Sequence, residues 1–243
     1  DSEKLDWFET INIAGEKLTE QEMRNAIFAS EWLSDAKKYF SKPNCFAQTE
    51  YGKYLSGSAI RQEFLETALK WICDAKNLSD IRDYMAEQKS KKISDCDELR
   101  KYFEEVFEWV EKIFPKYRGK LMKGQAWGIF YNKYGKNDYD AEKFEEEITK
   151  LLKDFDVTNQ RGIYEYLLSG KTEEKKLNIR QFDSRIKSTV YERQKGICAK
   201  CGKKFKIEEM HADHIVAWSN GGKTVAENCQ MLCAKCNREK SNL

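Results

Sequence analysis

The chain has 243 residues, 40% of them hydrophobic and 35% charged, with only two prolines. That is enough apolar material for a buried core under a solvated surface, and it argues against wholesale disorder. No apolar run approaches the roughly 20 residues of a membrane span, so no membrane partner is expected. The net charge of +2 is unevenly spread. Residues 180–243 carry 13 Lys/Arg against 7 Asp/Glu, while 1–179 carry 30 against 34. A basic tail on a mildly acidic body points to a polyanion partner for the tail alone.

The first predicted helix opens at Thr19, with Glu22 at capping-box spacing and Met23, Ala26 and Ile27 on one face. Ile60, Phe64, Leu65, Ala68, Leu69 and Ile72 recur at three and four, which predicts an amphipathic helix over 58–74. A second box, Asp95 to Glu98, leads into Leu99, Tyr102, Phe103, Val106, Phe107, Val110 and Phe114, and Pro115 ends that helix. The aromatic run from Gln125 to Tyr131 reads as packed. Phe144, Ile148, Leu151 and Leu152 mark a helix near 140–153, and Ile163, Tyr164, Leu167 and Leu168 a shorter one. Such stripes read as core rather than as a cofactor surface. Ser169 to Lys176 is short and polar and is the best linker candidate. A helix over 183–195, closed by Gly196, then enters the tail.

The tail holds the chemistry. Of eight cysteines, Cys45, Cys73, Cys96 and Cys229 are scattered, but Cys198/Cys201 and Cys233/Cys236 form two Cys-x-x-Cys knuckles. Paired spacing beside histidines reads as metal binding in a reducing cytoplasm rather than as a disulfide scaffold. Four thiolates close a tetrahedral zinc site and leave no open position, so this Zn2+ is structural. It would supply much of the folding free energy of so small a segment.

Between the knuckles lie 31 residues, among them both histidines of the chain, His211 and His214. Asp213-His214 precedes apolar residues and Gly221-Gly222, which predicts a strand, a tight turn, a second strand over Val225 to Leu232, and a short helix after Cys236. That arrangement brings Asp213, His214 and Asn237 together. Neutral imidazole suits the activation of a water near pH 7. One carboxylate and one amide oxygen suffice for a hard cation such as Mg2+ or Mn2+, and Asn228 is placed to orient the imidazole. Lys223, Arg238 and Lys240 flank this set as candidate phosphate contacts.

These residues resemble HNH endonucleases of the ββα-metal type with two zinc knuckles. The resemblance rests on Asp213-His214-Ile215, Asn228 and Asn237 directly after the second knuckle. It implies His214 as general base, Asp213 and Asn237 as ligands of the catalytic ion, Asn228 as the residue positioning His214, and zinc on the four cysteines. The third family letter, often histidine, is here Asn237. His211 has no fixed family role; it would touch a phosphate or water, or be an ordinary strand residue.

A second resemblance lies upstream. Trp7 to Thr19, with Glu22, Arg24 and Asn25, looks like the middle of GmrSD-like restriction proteins, and Trp218 to Thr224 fits the same group. Those proteins carry a ParB/sulfiredoxin-like domain, a helical region and an HNH domain. Their Asp-Gly-Gln-Gln-Arg nucleotide motif does not occur here, and Asp1-Ser2-Glu3-Lys4 reads as neither a signal peptide nor a natural start. The expectation is a C-terminal portion of a longer protein, with nucleotide binding only through an absent N-terminal domain. Arg24 and Asn25 would then touch nucleotide or serve the helix.

The resulting expectation is a mainly α chain: a helical body over 1–180, then a small zinc-bound ββα-metal HNH domain over 181–243. The expected function is cytoplasmic, metal-dependent cleavage of DNA, in restriction of foreign or modified DNA. A homo-oligomer is one route to double-strand cutting. The rivals are a non-catalytic zinc-ribbon nucleic-acid-binding module, a regulatory platform with a vestigial nuclease, and a colicin-like toxin.

Overall fold

A computed structural model describes residues 18–241; most of the Trp7–Thr19 stretch lies outside the described residues. The chain divides into two compact units, at Glu146/Glu147, and each is described by itself. Among the described residues no helix is long and apolar enough to cross a membrane.

The first unit is helical. It comprises α1 (Glu20–Ile27), α2 (Glu31–Phe40), α3 (Phe46–Tyr51), α4 (Glu63–Ala75), α5 (Ile81–Ser90), α6 (Asp97–Ile113), α7 (Gly119–Met122) and α8 (Trp127–Tyr134). The capping box of α1 forms as expected: the Thr19 hydroxyl accepts from Glu22 N at 3.2 Å, and Thr19 N donates to the Glu22 carboxylate at 2.7 Å. Arg24 is buried and paired with Glu20 at 3.1 Å and Glu66 at 2.8 Å, and Asn25 donates to Gln62 at 3.1 Å. Both residues therefore tie α1 to the start of α4.

Two predicted helix starts are corrected. The helix expected from 58 begins at Glu63, because Gln62 sits at φ +65° and Ser58 N donates to the Glu63 carboxylate at 2.6 Å, so 58–62 form turns. The Asp95–Glu98 box does not form. Cys96 is the N-cap without a side-chain bond, Asp95 accepts from Asp97 N at 3.2 Å, and the Glu98 carboxylate is taken by Lys76 and Tyr84.

The stripe on α6 packs as predicted. Phe103 meets Phe40 edge-on at 5.0 Å and Trp71 in a stack at 5.8 Å, while Phe107 stacks on Tyr51 at 4.6 Å. Gly128 lets α8 press against α4, since a Cβ there would lie 2.3 Å from the Trp71 ring. Helix α9 (Ala141–Leu152) starts on the Asp140 carboxylate, which accepts from Glu142 N and Lys143 N, and runs across the division between the units.

In the second unit, a 3-10 turn (Gln160–Gly162) and α10 (Ile163–Leu168) are followed by a 3-10 turn at Glu174–Leu177. Ser169 to Lys176, expected as a linker, is a hydrogen-bonded turn. Lys171 N donates to Tyr166 O, Glu173 N donates to Ser169 Oγ, and fully buried Leu177 follows. Asn159 N reaches Leu177 O at 2.9 Å, and Val157 bridges Ile179, so 154–180 forms a closed arm.

Helix α11 (Ser184–Arg193) is N-capped by Asp183. Strand β1 (Met210–His214) pairs antiparallel with β2 (Cys229–Cys233), and α12 (Ala234–Ser241) follows. The second strand is shorter than expected because Ala226–Asn228 form a 3-10 turn. Val190, Met210, Met231 and Leu232 form the apolar core with the buried cysteines, and Phe182, Ile186, Tyr191 and Phe205 pack around it. The protein is thus a helical body with a small two-stranded, α-capped module at its C-terminal end.

Candidate metal and catalytic site

The knuckles converge. The Sγ atoms of Cys198, Cys201, Cys233 and Cys236 lie within 4.8 Å of one another, and Cys201 Sγ is 4.0 Å from Cys233 Sγ. A tetrahedral zinc with bonds of ~2.3 Å spaces its sulfurs by ~3.8 Å, so the thiols fit that ion. Burial pushes the Cys198 thiol up, but N–H groups of Cys201, Cys233 and Lys200 outweigh it and hold the group at about 6. Burial, with hydrogen bonds to Cys233, Cys201 and Cys198, pushes Cys236 up to about 12. Without a cation the four sulfurs cannot share their negative charge at such range, which is the setting a divalent ion relieves.

A second set lines one open cleft. His211, Asp213 and His214 come from β1, and Asn237 and Lys240, three residues apart, come from one face of α12. Asp213 stands opposite Gln230 in the hairpin, and its Oδ2 accepts from Gln230 Nε2 at 2.9 Å. The same oxygen accepts from Lys240 Nζ at 2.5 Å, and Lys240 also donates to the His214 carbonyl. The ammonium thus rests on a carboxylate and a carbonyl oxygen. Such all-oxygen donors are those a hard divalent ion prefers.

The His214 imidazole is half-buried. Its Nε2 lies 3.0 Å from Thr224 Oγ1, and its ring centroid lies 4.4 Å from that of Phe182. Burial holds its pKa below the ordinary imidazole value, with Asp213 and Asp156 pulling upward and Lys240 downward.

The loop between the strands is held by two aspartates of the upstream arm. Asp154 Oδ2 accepts from Trp218 Nε1 at 3.1 Å and from Lys223 Nζ at 2.9 Å. Buried Asp156 accepts from Thr224 N at 3.1 Å. Gly222 is required within this turn, since a Cβ there would sit 1.8 Å from Val216 O.

Asn228 bonds the loop that follows His214 rather than the imidazole itself. Both of its N–H bonds go to backbone, at Val216 O and Lys223 O, each 3.0 Å away, and its Oδ1 accepts from Val216 N at 2.9 Å. The amide is consumed in closing the loop, and Thr224 reaches the ring instead.

Two of the basic residues named from the sequence have partners within the chain. Lys223 is paired with Asp154, and Lys240 with Asp213. Arg238, one position beyond Asn237, turns to the knuckle side beside Cys201 and Lys235. Arg180 and Lys187 line the cleft and were not singled out in the sequence. Nor were Asp154, Asp156, Thr224 and Gln230. Thr224 lay within a stretch already noted, but nothing in the sequence couples it to Asp156 across 68 positions.

Residues 198–243 match the family model described as HNH endonuclease, so the C-terminal segment is an HNH domain. A stretch of 63 residues is 33% identical to the type IV methyl-directed restriction enzyme EcoKMcrA of Escherichia coli (strain K12), covering 24% of this chain and 23% of that enzyme. The chain thus spans about a quarter of the length of the curated relative it matches. No solved structure matches.

Proposed function

We propose that this chain is a metal-dependent DNA endonuclease, acting in the cytoplasm in restriction of foreign or modified DNA, with His214 as general base. The observation that carries the reading is the presence of Asp213, His214 and Asn237 in one cleft within the segment matched by the HNH model. Burial keeps the imidazole neutral near pH 7, the form that takes a proton from an attacking water. Asp213 and Asn237 would hold Mg2+ or Mn2+, which would supply charge stabilisation at the phosphoryl and leaving oxygens. The four cysteines hold Zn2+ with no open position, as a structural ion. Arg180 and Lys187 receive backbone phosphates, and His211 contacts a phosphate or water at the same cleft.

The restriction role and the preference for modified DNA are supported by the likeness to a methyl-directed enzyme. The wider assignment to GmrSD-like proteins rests on the stretch from Trp7 to Thr19. One HNH site cuts one strand per engagement, so double-strand cleavage requires a homo-oligomer or two encounters. The test is cleavage of matched unmodified and methylated duplexes with magnesium, with and without EDTA. The expected result is EDTA-sensitive cutting that favours the modified duplex. Binding of both duplexes with no cutting of either would instead make the module a non-catalytic zinc ribbon.

A further inference from the structure

Thr224 has no part in the chemistry set out above, yet its hydroxyl is the group beside the imidazole. Thr224 Oγ1 lies 3.0 Å from His214 Nε2 and 3.2 Å from the carbonyl oxygen of Arg180. A carbonyl oxygen only accepts, and a threonine hydroxyl has one hydrogen. If that hydrogen goes to Arg180, Oγ1 turns a lone pair towards His214, and Nε2 must carry the proton. The opposite choice sets two acceptor oxygens against each other where Thr224 is only 6% exposed, an unsatisfied buried contact that folded proteins avoid. Asp156 holds both ends of this arrangement. Its carboxylate accepts from Thr224 N at 3.1 Å, and its carbonyl accepts from Arg180 N at 2.7 Å.

The geometry points to Thr224 as a positioning residue that fixes His214 as the Nε2–H tautomer and so makes Nδ1 the basic nitrogen. Asp156 and Arg180, both upstream of the matched HNH segment, set its place. The inference rests on His214 being the base. In that role the Nδ1 lone pair takes a proton from water as the water oxygen bonds to phosphorus. The leaving oxygen departs with the electrons of the broken P–O bond and is protonated by solvent. The imidazolium keeps its Nε2–H on Thr224 and returns the Nδ1 proton to solvent. The other tautomer presents an N–H where a lone pair is needed.

The chain has only two histidines, so selective 15N labelling of histidine gives two imidazoles, and His211→Gln assigns them. Long-range 1H–15N correlation spectra of the neutral imidazole in the full chain report the tautomer directly. The expected result is a protonated Nε2 and bare Nδ1 at His214, retained in Thr224→Ser and mixed in Thr224→Val. In DNA cleavage, Thr224→Val is expected to lower kcat about 10- to 100-fold with KM unchanged, and Thr224→Ser to restore most of it. A protonated Nδ1 in the wild-type chain, or an unchanged tautomer in Thr224→Val, would overturn the assignment. A wild-type chain that cuts no DNA would defeat the nuclease reading, while the spectra would still decide the tautomer.

Discussion

Lys240 occupies the corner of the cleft where Asp213 and the His214 carbonyl face each other. On the proposed reading, in which Asp213 would hold the divalent ion, an ammonium there would compete for the same carboxylate and would have to yield to the ion. Lys240→Met is therefore expected to lower severalfold the magnesium concentration that half-activates cleavage, as read in a metal titration of the cutting rate. An unchanged or raised requirement would show that Lys240 does not compete there. The gathering of residues was legible where residue type and short spacing carry it: thiols three positions apart converge, and Asp213, His214 and Asn237 line one cleft. It was not legible where partner choice depends on loop shape. Asn228 was singled out by its residue type, but that its amide bonds Val216 and Lys223 around the turn at Gly222 could not be read from the sequence. The carboxylate partners of Lys223 and Lys240 were not legible because they lie far away in the chain.

At the scale of elements, the module depends on two fasteners. The first is the thiolate cluster, which joins the 198–201 turn to the end of β2 and the start of α12. Structural zinc contributes on the order of 10 kcal/mol in small domains, more than so small a core can replace. Cys233→Ser is expected to lose zinc, the cooperative unfolding of the module and cleavage together; retention of all three would refute the four-thiolate site. The second fastener is Asp154, which holds the inter-strand loop through Trp218 and Lys223. Burial raises its carboxyl, but bonds from Lys223, Asp156 N and Trp218 outweigh this and hold its pKa below the ordinary range. A carboxyl depressed in the folded state stabilises above its unfolded pKa of ~3.9, and that stability is lost as pH falls through the folded value. Asp154→Asn is expected to cost about 1–2 kcal/mol at pH 7. The cost should shrink towards zero in acid below the folded pKa, as read from thermal unfolding at both pH values. An equal cost at both would mean that the carboxylate charge plays no part.

For the whole molecule, the helical stripes were readable because each helix carries its own period of burial, and Phe103, Phe107 and Val110 pack as that period requires. The arm at 154–180 was not readable, because its contacts are long-range and its polar turn resembles a linker. A division at 180/181 follows the motif, whereas the compact unit begins at Glu147. The two divisions make different predictions. A chain of residues 147–243 is expected to bind zinc and cut DNA. One of 181–243 is expected to bind zinc but cut at least about 10-fold more slowly, for want of Asp154 and Asp156. Equal rates would make the arm dispensable.

The role of His214 is tested most directly by magnesium-dependent cleavage of duplex DNA by the wild-type chain and by His214→Ala at matched zinc content. The predicted result is a loss of about 10²- to 10⁴-fold in rate with zinc unchanged, as expected for removal of a general base. Equal cutting by His214→Ala would contradict the assignment of this histidine and of the cleft around it.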